Sequence, residues 1–319
     1  MSETNEPGAP PDQLTAALAR PISFDARYGD GLGHTLVLGG GGLFFVAWQV
    51  AYLQALEERG LQLERAQRVV GTSAGSLVAT IVTAGRLRRT ADKIDLLAKV
   101  PGIVAHLAGG GGDLVPSQER AVDLFRFAPD ADVARVREIG HAALAAHAPP
   151  AQKIRRSLGA VLAVRRWPGE QLHITAVDAF TAERLVITKA SEIPVAVAAA
   201  ASSAVPGVFT PQSLHDRRAM DGGVSGTGLH SDLVAGSERA LVLSLAANLG
   251  DEVGGMTSAP GAQAKELDAL TASGTQVLVK GPSEVDEEAL MDPKAVAGAI
   301  ELGQQQAADD ADEVLALWT

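Results

Sequence analysis

The sequence predicts an α/β domain in which a central, mostly parallel sheet lies between helical layers, a three-layer sandwich. Three observations predict it. Short strand-like apolar runs alternate with helix-period segments over most of the 319 residues. The 46% apolar content is enough to bury a sizeable core. At two places a strand runs straight into a glycine-rich turn and out into a helix, the connection that βα units use.

Met1 to Asp30 is polar, acidic and proline-rich, with no basic stretch leading into an apolar one. It reads as a flexible arm and not as a secretion signal or anchor, and residues 31–319 are expected to form the domain. His34–Leu38 is a buried strand that meets Gly39-Gly40-Gly41-Gly42. Leu43–Arg59 follows as a helix, apolar at 43, 46, 47, 50, 53 and 56 and stopped by Gly60. A second strand, Arg68–Val70, enters Gly71-Thr72-Ser73-Ala74-Gly75, and Ser76–Ala84 leaves it as a helix that Gly85 ends. Residues 101–166 read as a helical cap or side layer, with helices between Ser117 and Leu162 and a solvated basic face at Arg155, Arg156, Arg165 and Arg166. Within it, Pro101–Ala108 and the glycines 109–112 read equally as a helix end with linker and as an apolar segment for contact with lipid. Leu172–Asp178 and Arg184–Thr188 are strands joined by a polar turn, and Ala240–Leu245 and Thr275–Val279 are two more. Gly250–Gly261 reads as a mobile loop, and Pro293–Leu317 as a closing amphipathic helix with Asp309, Asp310 and Asp312 on its wet side.

The chemistry concentrates at three points. The first is Ser73, in a G-x-S-x-G between strand and helix, where a strained turn lifts a hydroxyl above the sheet and a helix N-terminus offers amide hydrogens. The second is the glycine run 39–42, whose bare N–H groups suit a phosphate or an oxyanion. The phosphate spacings G-x-x-x-x-G-K-[ST] and G-x-G-x-x-G are absent. The third is Met220-Asp221-Gly222-Gly223, after the polar turn His215–Arg218. Asp221 is a candidate base for a serine if its site is dry enough to raise its pKa, although D-G-G taken alone reads first as a β-turn.

Together, in this order, these pieces resemble the patatin-like phospholipase family, whose pattern is a glycine-rich oxyanion loop, a G-x-S-x-G serine and a D-G-[GA] aspartate. The resemblance covers most of residues 34–246 and includes Ala201–Phe209, similar to the family's small-residue helix and A-x-P-x-x-F segment. Ala47-Trp48 matches a bacterial subgroup with G-G-G-G-x-x-x-x-A-W. It implies a patatin-like fold, a Ser73–Asp221 dyad without histidine, and an oxyanion hole at Gly40, Gly41, Gly42 and Ala74. One departure is Phe44-Phe45, where many members have a basic residue and glycine. The hole loses a cation there, and the two rings are expected either to shape an acyl-chain tunnel or to pack in the core.

The expected activity is therefore a serine esterase or lipase that hydrolyses lipid esters through an acyl-Ser73. Two alternatives stand beside it. One is a lipid-binding pocket without turnover. The other is an α/β-hydrolase with the order Ser, acid, His, for which His230 is the histidine nearest at hand but lacks an acid-loop context, so its replacement is expected to change little. Zero cysteines exclude disulfides and thiolate metal sites, and no H-E-x-x-H or D-x-D-x-D-G occurs, so no metal or other cofactor is implied. A net charge of −11 argues against nucleic acid and against purely electrostatic binding to anionic membranes. The expected partners are a lipid or acyl-ester substrate and a transiently contacted membrane surface, in a cytoplasmic setting.

Overall fold

Strand β1 (His34–Leu38) is buried at every position, as a parallel strand covered on both faces must be. Its neighbours are β2 (Ala66–Gly71), β3 (Leu172–Asp178), β4 (Arg184–Ile187), β5 (Gln212–Leu214), β6 (Arg217–Asp221), β7 (Arg239–Leu243) and β8 (Gln276–Lys280). The helices are α1 (Gly42–Glu58), α2 (Ala74–Thr83), α3 (Leu87–Ala98), α4 (Pro116–Arg126), α5 (Val133–Ala145), α6 (Ala151–Leu162), α7 (Val195–Ser202), α8 (Ala262–Ala272) and α9 (Ala295–Trp318). This is a computed structural model that describes residues 18–102, 114–126, 132–248, 261–286 and 289–319.

The strands form one eight-stranded sheet in the order β5-β6-β3-β2-β1-β7-β8, with β4 also paired to β3. The run from β3 to β8 is parallel, while β4, β5 and β6 pair antiparallel. Alternation along the strands sorts side chains into two cores. Leu36, Leu38, Leu241 and Leu243 join α1, α2 and α9 on one face, and Val37, Val70, Ala240 and Val242 join Leu233 and Leu270 on the other. The sandwich therefore has three layers, as expected.

One detail of the sheet positions the site. β3 pairs with β2 through residues 172–174, with β4 through 174–177 and with β6 through 176–178. A strand has two edges, so β2 and β6 must follow one another along the same edge of β3, opposite β4. They approach from opposite directions, and their C-terminal ends, Gly71 and Asp221, meet across from Ile174 and Ala176.

Helices α1 and α9 seal one face. Phe45, Trp48 and Tyr52 stack in a ladder with centroid separations of 5.5 and 4.6 Å. Trp48 Nε1 donates to Gln306 at 3.0 Å and Tyr52 to Asp310 at 2.8 Å. A Cβ at Gly303 would stand 2.7 Å from the Trp48 carbonyl, so the helices cross backbone to backbone there.

Three expectations need correction. Residues 18–30 are not a free arm: Leu18 is buried, Ala19 bridges to Leu185, and Ser23 N donates to Asp232 at 3.0 Å. Arg184, fully buried against Asp232, also holds the carbonyls of Arg20 and Pro21, so a polar segment is fixed by hydrogen bonds where apolar patterning gave no signal. The turn at His215 joins two strands, β5 and β6, too short for periodicity to reveal. Helices α3 and α8 were likewise not expected. The apolar segment from 103 onward with its glycines, and loop residues 250–260, lie outside the described residues.

Candidate active site

The G-x-S-x-G turn is built by crowding. Thr72 N donates to the Leu38 carbonyl at 3.0 Å, tying the end of β2 to the end of β1. A Cβ at Gly75 would overlap that same carbonyl, and one at Gly71 would stand 2.6 Å from Gly75 O and 2.7 Å from Ala79 Cβ. Both glycines are thus needed to seat α2 against the sheet. Ser73 absorbs the bend at φ 51°, ψ −119°, a conformation that costs a non-glycine residue about 1–3 kcal/mol. Three serines over-determine it. Ser73 N donates to Ser202 Oγ at 2.8 Å, while Ser76 Oγ and Ser203 Oγ donate to Ser73 O at 2.7 and 3.3 Å. The Ser73 side chain stays partly exposed at the top of the turn.

Asp221 arrives on β6, beside the same turn. Its N–H donates to Ala204 O at 3.0 Å, so the end of α7 holds both Ser73 and Asp221. A Cβ at Gly222 would be 2.8 Å from both oxygens of Thr175 and 2.9 Å from Thr72 Cγ2, and Thr72 and Thr175 share a hydroxyl hydrogen bond of 2.7 Å. Asp221 is buried, with Oδ1 accepting from Gly223 N at 2.8 Å and Oδ2 lacking a hydrogen-bond partner. Burial pushes its pKa up to about 7, against the opposing pull of the Gly223 N–H and the Ser73 hydroxyl. The hydroxyl is thus near enough to favour the carboxylate, yet short of full hydrogen-bond contact, a looseness common in unliganded sites.

The glycine loop lies on the other side of the serine. A Cβ at Gly40 would stand 3.1 Å from Ser73 Cβ. Gly39 is fixed at both ends, its N–H on Leu243 O at 2.9 Å and its carbonyl accepting from Gln49 Nε2 at 3.0 Å. Gly42 takes φ 69° and lets Leu290 pass, whose carbonyl accepts from Phe44 N at 3.1 Å. Among the described residues, the N–H groups of Gly40, Gly41, Gly42 and Ala74 have no acceptor.

Phe45 packs in the core. It is fully buried, stacked on Trp48, and its Cβ lies where a Gly41 side chain would be, so its ring backs the loop from the core. Phe44, 9% exposed, belongs to the same core. His230 is also buried, and its Nε2 lies 3.0 Å from Gly222 O. Burial, then Arg184, lowers its pKa to about 4, so the ring is neutral near pH 7. No cluster of three or more metal-binding side chains occurs among the described residues.

Sequence reasoning missed Gln49, Ser202 and Ser203 as supports and Leu290 as a cap on the glycine loop. The serines had a signal, since they lie in the small-residue segment before Asp221. Gln49 had a weaker one, as a polar residue on the inward face of an otherwise apolar helix.

A family model described as patatin-like phospholipase matches residues 36–231. Among solved structures the chain is similar to VipD from Legionella pneumophila, at 13% identity, 91% coverage of this chain, 68% of that chain and TM-score 0.35. It is similar to the type III effector ExoU, at 18% identity, 88% coverage of this chain, 54% of that chain and TM-score 0.32. In the ExoU–SpcU complex from Pseudomonas aeruginosa the figures are 19%, 88%, 53% and 0.34. The chain thus spans about half the length of the ExoU chains. No curated protein matches it.

Proposed function

Because the chain belongs to the patatin-like phospholipase family, we propose that it is a lipid acyl hydrolase, of phospholipase A, lysophospholipase or related carboxylesterase type, working through a Ser73–Asp221 dyad. Ser73 Oγ attacks the ester carbonyl while Asp221 Oδ2 takes its proton. The N–H groups of Gly40, Gly41, Gly42 and Ala74 receive the oxyanion, and Asp221 returns the proton to the leaving alcohol. Water, deprotonated by Asp221, then releases the acid from acyl-Ser73. The observation that carries this reading is the buried, unpartnered Oδ2 of Asp221 beside a serine held on a strained turn. A carboxyl titrating at about 7 is matched to base catalysis near neutral pH.

The rival α/β-hydrolase reading loses support from His230, whose Nε2 is engaged by a backbone carbonyl and not by Ser73 or Asp221. The binding-only reading is tested directly. A fluorophosphonate should label Ser73 alone, and Ser73→Ala should abolish hydrolysis of a chain-length series of esters while the protein stays folded. A folded, unlabelled wild type favours binding without turnover.

No helix among the described residues is long and apolar enough to cross a membrane. The proposal includes peripheral contact with a membrane, on its cytoplasmic side. Leu96 in α3, Val100 just after it, and Leu114 and Val115 before α4 are exposed apolar residues that support it.

A further inference from the structure

His230 is buried beside the candidate dyad, where it holds the Gly222 carbonyl, and no step above uses it. A carbonyl only accepts, so the 3.0 Å contact with Gly222 O means that Nε2 carries the proton and donates it. The carbonyl it holds belongs to the same planar peptide unit as the Gly223 N–H, which donates to Asp221 Oδ1 at 2.8 Å. Turning that plane would break both bonds together, along with the longer 3.3 Å bond that Ser225 N–H donates to the same carbonyl.

The surroundings make the donor rigid. His230 is 2% exposed and sits in the left-handed region at φ 55°, ψ 40°, which costs strain at a non-glycine residue. The next residues anchor it: Ser231 N and Oγ both donate to Glu266, at 2.7 and 2.6 Å, and Asp232 is locked to Arg184. The Gly222 side of the plane is equally confined, wedged against Thr175 and Thr72. With Oδ1 fixed by the plane, the remaining freedom of the carboxylate is a rotation that would carry Oδ2 away from Ser73.

We propose that His230 is a positioning residue: its Nε2–H, acting through the Gly222–Gly223 peptide plane, sets the rotation of the Asp221 carboxylate and so aims Oδ2 at Ser73. The effect on turnover rests on Asp221 being the base, as proposed above. Hydrogen bonds in series also polarise one another, which strengthens the Gly223 donation.

The test compares His230→Leu, which removes the donor, with His230→Gln, whose Nε2 can reach the same carbonyl; both bear similar left-handed strain. His230→Asn tolerates that conformation but is too short to reach, and it replaces the leucine variant if the latter does not fold. Amide exchange at Gly223 should quicken about tenfold in Leu and Asn and stay near wild type in Gln, the equivalent of one ordinary hydrogen bond. In parallel, kcat should fall about tenfold in His230→Leu and His230→Asn with KM unchanged and recover in His230→Gln, a larger effect than the small change the sequence alone led us to expect. Unchanged Gly223 exchange in Leu or Asn overturns the relay, as does an equal loss of kcat in all three variants. If exchange responds as expected but the wild type shows no serine labelling or turnover, the relay stands and the hydrolase reading fails.

Discussion

Asp221→Asn should make this protein more stable while removing its activity, and the gain should depend on pH. In the folded chain burial moves the carboxyl's midpoint from 3.8 to about 7. The folded state therefore binds more protons than the unfolded state between those pH values, and stability falls as pH rises through this window. Above about 7 the full penalty for the buried carboxylate applies, about 4 kcal/mol as an upper bound at 1.36 kcal/mol for each tenfold change in proton affinity. An amide in its place carries no charge and its oxygen still accepts from Gly223 N. The assay is urea denaturation of wild type and Asp221→Asn at pH 5 and pH 8, taken as a difference so that other titrating groups cancel. The variant should gain by up to about 2.6 kcal/mol between the two pH values, with kcat lowered by about 10²–10⁴. Wild-type kcat/KM should rise with pH around 7, since the base works as carboxylate. Parallel stability curves, or a rate midpoint near 4, would refute the reasoning.

Other substitutions separate support from core. Ser202→Ala removes the acceptor for Ser73 N and should lower kcat about tenfold with little change in Tm, measured by steady-state kinetics beside calorimetry. Phe45→Ala should cost about 3–5 kcal/mol in urea denaturation while leaving the acyl-chain-length profile of kcat/KM unaltered. Asp232→Ala strands the buried Arg184 guanidinium and should cost about 3–5 kcal/mol by the same denaturation, with protease cleavage among residues 18–30 as a second readout. Burial lowers the His173 and His230 pKa values to about 4, so stability from these rings is present above about 6.5 and is lost as pH falls toward 4. Acid titration of His173→Asn against wild type by circular dichroism checks the His173 share.

What was legible in the sequence was whatever a local pattern had to carry. Glycines at 71 and 75 announce a close approach because any side chain there collides with backbone. The apolar runs of β1 and β7 announce strands because both faces are covered. Phe44 and Phe45 were ambiguous because two rings in a first turn can face a core or a cavity with the same spelling. Phe45 stacks on Trp48 in the core. The contacts that hold the site, from Gln49, Ser202, Leu290 and His230, are polar or backbone in kind, and those of Ser202 and Leu290 are also long-range in sequence. No periodicity encodes them. The docking of residues 18–30 escaped for the same reason, resting on Arg184 and Asp232, which lie far along the chain.

Since β2 and β6 occupy successive stretches of one edge of β3, the relation between Ser73 and Asp221 is metered by ladder register and not by the chain that separates them. The excursion between α2 and β3, which carries α3 to α6, departs and returns without setting that distance. Lengthening or trimming it would leave the spacing of Ser73 and Asp221 alone. A single-residue slip of β6 would do the reverse: every loop would keep its length, and the carboxylate would turn to the opposite face of the sheet. The relation between these two residues is thus assigned to the sheet, and the length of the excursion is free to vary without altering it.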